Sequence, residues 1–311
     1  MSLQKTLWPV MLTPFKKDST IDYESLERLI EWYTLSGADG LFAVCQSSEM
    51  FYLSLEERVN LAAFIKAKST IPVVASGHVS DSIEDQIDEI RQIAATGVDA
   101  VILVTNRLAA ADESSEIWIS RIQHILDNID SNIILGFYEC PYPYKRVLSE
   151  KELLFCKNSG RFKFLKDTCC DINVIRKRVE LLRGSELSLY NANTATLLDS
   201  LRAGAMGFSG VMANFHPELY AWLLKNWDNT EKADILQSVL TMCSQIERQC
   251  YPVNAKYHLQ MLNIVAETVC RVRSNVEMLP LFEQEVRQMA LMKDWVEKQL
   301  EISLTITAKG D

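Results

Sequence analysis

Three stretches of the chain share one pattern of apolar and polar positions: "SGADGLFAVCQ" (36–46), "TGVDAVILVTN" (96–106) and "AGAMGFSGVMAN" (203–214). In each, a glycine follows an amphipathic stretch, and a run rich in apolar residues then ends on polar ones. A helix stopped by a glycine cap and followed by a buried strand reads this way. "NSGRFKFLKDT" (158–168) repeats the arrangement, and four such junctions imply repeated βα units. Further strands are expected near "WPVML" (8–12), "IPVVAS" (71–76), "NIILGFY" (132–138) and "ELSLY" (186–190), which makes eight. Helices are expected over 22–36 after Asp22, 54–68 after Ser54, 80–96 after Ser80, 113–128, 149–157 after Ser149, 171–183 after Asp171, and 193–203. Several of these starts carry a capping side chain with Asp or Glu in the first turn, and "SLEE" at 54–57 has capping-box spacing.

Eight short strands alternating with helices predict an α/β fold, a (β/α)₈ TIM barrel over residues 1–215 that carries the catalytic site. A doubly wound open sheet would usually place a glycine-rich phosphate loop after its first strand, and "VMLTPFKKDST" has none. From His216 the pattern changes to helices without strands, so 216–311 is expected to be a C-terminal helical segment packed on the barrel, punctuated by Pro252 and Pro280.

Composition narrows the partners. With 48% hydrophobic and 23% charged residues, 311 positions are ample for a large core. No apolar run approaches the ~18 residues of a membrane helix. The net charge is −9 and no Lys/Arg-rich cluster stands out, which argues against nucleic acid or an anionic membrane and for a small metabolite. The start "MSLQKTLWPVML" lacks the pattern of a secretory signal, and the eight cysteines are scattered without a C-x-x-C pair. Reduced thiols in a cytoplasm are therefore expected, with the adjacent Cys169 and Cys170 as packing residues.

In a (β/α)₈ barrel the working residues stand at the carboxyl ends of strands and in the loops that follow. Those positions include the turn Cys45-Gln46-Ser47-Ser48-Glu49, His78, Arg107, Tyr138, Glu139, Lys166, Asn191, Asn193 and Ser209. They contain no set spaced as metal ligands and no phosphate loop, so neither a metal nor a cofactor is expected. Lys166 is the unusual member, because it ends a mostly apolar strand. By two-residue alternation it would share a face with Phe162 and Phe164 and project into the barrel mouth. Desolvation there would lower its pKa and leave an amine able to attack a ketone. Alternatively it pairs with a carboxylate such as Glu139 and anchors a loop; position alone leaves both readings open.

"TPF" (13–15), the polar turn ending in Glu49, "FYECP" (137–141), "FLKDT" (164–168) and "AGAMGFSGVMAN" fall in the order and spacing of the dihydrodipicolinate synthase / N-acetylneuraminate lyase family, which the chain resembles over about residues 6–300. The resemblance implies a homotetrameric (β/α)₈ lyase or aldolase that forms a Schiff base with pyruvate or another 2-oxo acid. Lys166 would be the imine lysine, and Tyr138 the tyrosine that relays protons. Ser47 and the amides around it would hold the 2-oxo acid carboxylate, with Gln46 and Ser48 beside it. Glu49 would be structural.

Other positions depart from the family. Both glycines and the first threonine of its Gly-Thr-Thr-Gly-Glu turn are replaced here. The extra tyrosine that synthases lend across a subunit interface gives way to Asn106, Arg107 and Leu108. Where synthases grip the aldehyde's carboxylate with an arginine, this chain has Pro143, with Lys145 and Arg146 nearby. Arg107, Asn191, Asn193 and Ser209 are expected to line the pocket of the second substrate, an aldehyde or its adduct. Rival readings are dihydrodipicolinate synthase itself, acting on pyruvate and aspartate semialdehyde, and an inactive barrel that binds a small acid.

Overall fold

Each predicted apolar run becomes a strand because the glycine or turn before it ends a helix and returns the chain to the sheet. The structure, a computed structural model, describes residues 4–301. Eight parallel strands are present: β1 (Thr6–Leu7), β2 (Leu41–Ala43), β3 (Val73–Ala75), β4 (Ala100–Val104), β5 (Leu135–Tyr138), β6 (Phe162–Asp167), β7 (Ser188–Asn191) and β8 (Gly207–Phe208). They are hydrogen-bonded in the order β1-β8-β7-β6-β5-β4-β3-β2. The ring closes between the ends of that order, where Val10 bridges Phe42. Met11 N–H donates to the Phe42 carbonyl at 2.9 Å, and Phe42 N–H to that of Pro9 at 3.0 Å. The first strand was expected over 8–12. It is split instead, because Pro9 has no N–H to continue the ladder. At the β1–β8 contact a Cβ on Gly207 would lie 1.8 Å from the Thr6 carbonyl oxygen, so closure requires glycine there.

Helices α1 (Tyr23–Leu35), α2 (Leu55–Lys68), α3 (Ile83–Ala95), α4 (Thr105–Leu108), α5 (Ser115–Asn128), α6 (Glu150–Ser159), α7 (Ile172–Leu182) and α8 (Leu197–Ala203) connect the strands. Asp22, Ser54, Ser149 and Asp171 cap their helices, with reciprocal boxes at Ser54/Glu57 and Ser149/Glu152. Two starts differ from expectation. Ser82 rather than Ser80 caps α3, because Ser80 donates to Glu89 at 2.8 Å, and Glu89 is itself paired with Arg58 inside the molecule. Helix α8 begins four residues late because Asn191 and Asn193 build a turn before it: Asn191 Oδ1 accepts from Asn193 N–H and Asn193 Oδ1 from Thr196 N–H.

Beyond the barrel come α9 (Pro217–Lys225), α10 (Thr230–Cys243), a 3₁₀ turn (Ser244–Arg248), α11 (Val253–Met261) and α12 (Pro280–Gln299). The expected helical segment reaches 311, of which 302–311 lie outside the described residues. This segment is bolted to the barrel through Glu49. Its carboxylate meets Lys256 at 2.7 Å in a fully buried pair and accepts from the N–H groups of Arg271 and Val272 at 2.6 and 2.9 Å. The bolt fixes what the C-terminal segment can hold over the barrel mouth. Among the described residues no helix is long and apolar enough to cross a membrane.

Candidate active site

Aromatic rings pave the barrel interior below the strand ends. Phe164 stacks on Tyr190 at 4.3 Å and meets Trp8 and Phe42 edge-on at 5.5 and 5.9 Å, while Phe42 meets Tyr138 at 5.7 Å. Phe162 does not join them. A register shift between β5 and β6 pairs Leu135 with Phe162 but Gly136 with Phe164, so an extra residue intervenes and the alternation breaks. Phe162 therefore faces the helices, stacked on Phe137 at 4.6 Å, with Trp118 of α5 against Phe137 at 5.2 Å. The expected shared face holds for Phe164 and Lys166 and fails for Phe162.

Lys166 stands on this floor. Its Nζ is 4.2 Å from the centre of the Tyr138 ring and 5.6 Å from that of Phe42, and the residue is 4% exposed. Among the described residues no carboxylate forms an ion pair with it. Burial lowers its pKa to about 8, opposed by the acidic neighbours Cys45, Cys140 and Glu247. Glu139, the partner of the anchoring alternative, is engaged elsewhere. It meets Arg178 at 2.9 Å and accepts from Leu148 N–H at 2.8 Å and Thr168 N–H at 3.0 Å. Asp167 pairs with the same guanidinium. Burial and the Asp167 charge push Glu139 up to about 7 against the pull of Arg178.

The turn after β2 faces Lys166. Gln46–Ser48 form one 3₁₀ turn, whose first N–H groups have no acceptor within the turn. Gln46 Oε1 accepts from the Tyr138 hydroxyl at 3.1 Å and from the Cys140 thiol at 3.3 Å. Ser48 donates to the Met11 carbonyl at 2.7 Å and accepts from Cys45 N–H, so it holds the turn against the segment that follows β1. Ser47 is buried beside the hydroxyl of Tyr251. Desolvation raises the Tyr138 pKa well above its usual value and keeps it a proton donor.

The remaining predicted residues lie in other surroundings. Arg107 pairs with Asp81 at 2.6 Å and lies over the Phe51 ring. Asn191 is fully buried and donates to Thr196 and Ser200, so its amide is spent on the loop before α8, as is the Asn193 oxygen. Ser209 is buried at the end of β8, with a hydroxyl that has no hydrogen-bond partner among the described residues. Asn106 donates to the carbonyls of Cys140, Tyr142 and Tyr144 and clamps the loop after β5. In that loop Lys145 donates to the Thr168 carbonyl at 2.6 Å, and Arg146 pairs with Glu152 at 2.9 Å. Cys170, expected to be packing, is exposed.

Two residues that the strand-end rule did not nominate join the mouth. Glu247 lies on the 3₁₀ turn after α10 and Tyr251 follows it, and Glu247 is close enough for its charge to act on Lys166, Tyr251 and Cys170. The break in helical pattern at Tyr251-Pro252 was their mark in the sequence.

The model of the Dihydrodipicolinate synthetase family matches residues 4–290. A 4-hydroxy-tetrahydrodipicolinate synthase of Oceanobacillus iheyensis is 26% identical over 282 residues, 88% of this chain and 90% of that protein. One from Clostridium novyi is 23% identical over 96% of this chain and 97% of its own length. Among solved structures, dihydrodipicolinate synthase from Bacillus anthracis aligns with a TM-score of 0.81 at 20% identity, covering 94% of this chain and 99% of that one. A prophage protein of the same family from E. coli K12, solved in complex with pyruvate, aligns at 0.80 and 20%, covering 96% and 99%. At such identities the structural likeness speaks for the fold.

Proposed function

The chain belongs to the dihydrodipicolinate synthetase family, and from that premise we propose that it is a Schiff-base-forming lyase of the aldolase type, acting on pyruvate or a related 2-oxo acid. The observation that carries the reading is Lys166: a buried ammonium over aromatic rings, with no carboxylate in an ion pair with it among the described residues and a pKa lowered to about 8. A fraction of it is neutral near pH 7, and a neutral amine attacks a ketone.

In this reading the Lys166 lone pair adds to C2 of the 2-oxo acid, the carbonyl oxygen leaves as water, and an iminium remains. Ser47 and the free N–H groups of its turn bind the carboxylate, as donors at a strand-to-helix turn suit an anion. Gln46 fixes the Tyr138 hydroxyl, and Ser48 fixes the turn. The iminium draws the C3–H pair into a C2=C3 bond as its own C=N pair moves to nitrogen. The resulting enamine adds to an aldehyde, or forms when the adduct splits. Tyr138 moves the proton, a role worth about 10²–10⁴ in rate for a positioned acid–base group. Arg107, Asn191 and Asn193 spend their polar groups on other protein partners, so of the four residues expected at the second-substrate wall we assign Ser209, whose hydroxyl has no partner among the described residues.

The second substrate is open within the family. Arg146 is neutralised by Glu152 and Lys145 is bound to a backbone carbonyl, which favours an aldehyde other than aspartate semialdehyde. Incubation with each member of a 2-oxo acid panel plus borohydride is expected to leave a reduced adduct on Lys166 by mass spectrometry. No adduct with any member would overturn the imine reading in favour of a binding barrel. Robust turnover in a coupled assay with pyruvate and aspartate semialdehyde would make the chain the synthase itself.

A further inference from the structure

Two serines stand at strand ends of the barrel with hydroxyls that no protein group satisfies. Ser76 follows β3 and Ser209 follows β8; both are fully buried, and neither hydroxyl has a hydrogen-bond partner among the described residues. The ladder continues through each, since Ser76 N–H donates to the Ala43 carbonyl at 3.2 Å and Ser209 N–H to that of Asn191 at 2.9 Å. Alternation therefore still sets which way they point. Phe208 stacks on Tyr220 of α9 at 4.3 Å, and a Cβ on Gly210 would lie 2.3 Å from the Phe208 ring, so the two neighbours of Ser209 face outward. Ser209 faces the interior between them. Val74 is in register with Phe42, a ring of the floor, and a Cβ on Gly77 would point outward to Ile93 of α3, at 3.2 Å. Ser76, two residues beyond Val74 and one before Gly77, faces inward as well. Lys166 pairs with Tyr190 and Tyr190 with Gly207, so Ser209 stands one inward step beyond that row, toward the mouth. Ser76 stands one such step beyond the row of Phe42, whose ring centre is 5.6 Å from Lys166 Nζ. The interior of an eight-stranded barrel is just wide enough for its side chains, so two hydroxyls just above the floor border whatever the amine holds.

We propose that Ser76 and Ser209 read a hydroxyl on C3 of the 2-oxo acid, so that the preferred partner of Lys166 is a 3-hydroxy-2-oxo acid, of which hydroxypyruvate is the smallest. The inference rests on the imine reading above and names its substrate class. C3 is the carbon at which the two substrates join, so a serine in the wall of the second also borders the group carried there. A buried hydroxyl left unpaired loses its hydration without return, whereas a substrate that satisfies it recovers that loss on binding. Serine both donates and accepts. A substrate hydroxyl accepts from one serine while donating to the other, and a methyl in its place leaves both unpaired. A carboxylate on C3 would need a cation, and Arg107, Lys145 and Arg146 are each engaged by protein groups. The neutral hydroxyl is the substituent that fits.

The test is the concentration dependence of borohydride trapping on Lys166, read by mass spectrometry, with hydroxypyruvate, pyruvate and 2-oxobutanoate, which carry a hydroxyl, a hydrogen and a methyl on C3. Wild type is expected to half-saturate with hydroxypyruvate at a concentration about tenfold or more below that for 2-oxobutanoate, because a site built to hydrogen-bond a hydroxyl rejects the analogue that lacks it. In Ser76→Ala and in Ser209→Ala, the half-saturating concentration of hydroxypyruvate relative to that of pyruvate is expected to rise by about threefold or more. A serine that only packs would shift both acids alike and leave that ratio where it was. The proposal is overturned if wild type takes 2-oxobutanoate as readily as hydroxypyruvate, or if either substitution leaves the ratio unchanged. Should a variant fail to fold, the wild-type preference decides alone. Trapping of pyruvate without preference for hydroxypyruvate leaves the imine reading standing and removes this inference, whereas a wild-type protein that traps no 2-oxo acid removes both.

Discussion

Lys166 and Asp167 are neighbours on β6, both are buried, and their electrostatic surroundings are opposite. On the inner face, Lys166 has rings beneath it and, among the described residues, no carboxylate paired with it. On the outer face, Asp167 and Glu139 share the Arg178 guanidinium of α7, and backbone N–H groups saturate what remains of Glu139. One strand thus carries a charge left poised and a charge fully compensated. On the proposed imine reading the difference separates chemistry from architecture: a structural buried charge collects partners, because an unpartnered one costs several kcal/mol. A reactive amine needs its neutral form within reach and is served by their absence.

Replacing each face separately tests the contrast. Lys166→Met is expected to abolish the borohydride adduct and lower turnover by about 10³-fold or more, since methionine offers no amine to act as the covalent nucleophile. It should also stabilise the fold at pH 7 by an amount on the order of 2 kcal/mol, because the wild type must hold an ammonium whose pKa is lowered to about 8. A lysine depressed on folding costs most below its folded pKa. The advantage of the variant in urea titrations should therefore shrink as pH rises above about 8 and vanish above the unfolded value near 10.4. A variant less stable than wild type at pH 7 would move Lys166 to the architectural side.

Arg178→Met should do the reverse, costing about 3–5 kcal/mol by stranding two buried carboxylates. Glu139 is already pushed up to about 7, above its unfolded value, so the folded state binds its proton more tightly than the unfolded chain does. Losing Arg178 raises it further. The Tm deficit against wild type should be widest above pH 7 and narrow as pH falls toward 5, where the Glu139 carboxyl is protonated. A deficit independent of pH would mean that lost packing outweighs lost pairing.

The outer face and the barrel itself were largely legible because their signals are local. Glycine caps, capping boxes and apolar runs act within a few residues, and Ser54, Ser149 and Asp171 cap where the pattern places them. Lys166 and Tyr138 were legible for the same reason, as odd residues at strand ends. Phe162 was misplaced because the extra residue between β5 and β6 shifts the alternation without marking the composition. Asn191 and Asn193 look like ligands in sequence and serve as turn and cap acceptors, a use their short amides favour. Tyr251 and Glu247 were hidden because their place depends on docking of the C-terminal segment. The Glu49–Lys256 pair that fixes it joins residues far apart in the chain.

The smallest effect sharpens the inner face alone. If Lys166 attacks as the free amine, the rate of trapping at subsaturating pyruvate should rise about tenfold per pH unit below its pKa and level off above about 8, because only the deprotonated fraction reacts. The carboxylate of Glu247 favours the ammonium form, so Glu247→Gln should move that inflection downward, by less than about one unit for a partly solvated neighbour. Arg178 lies behind the strand, and Arg178→Lys, if folded, should leave the inflection where it is. An inflection that follows Arg178 and ignores Glu247 would mean that the two faces of β6 share one electrostatic network, and the separation drawn between Lys166 and Asp167 would fail.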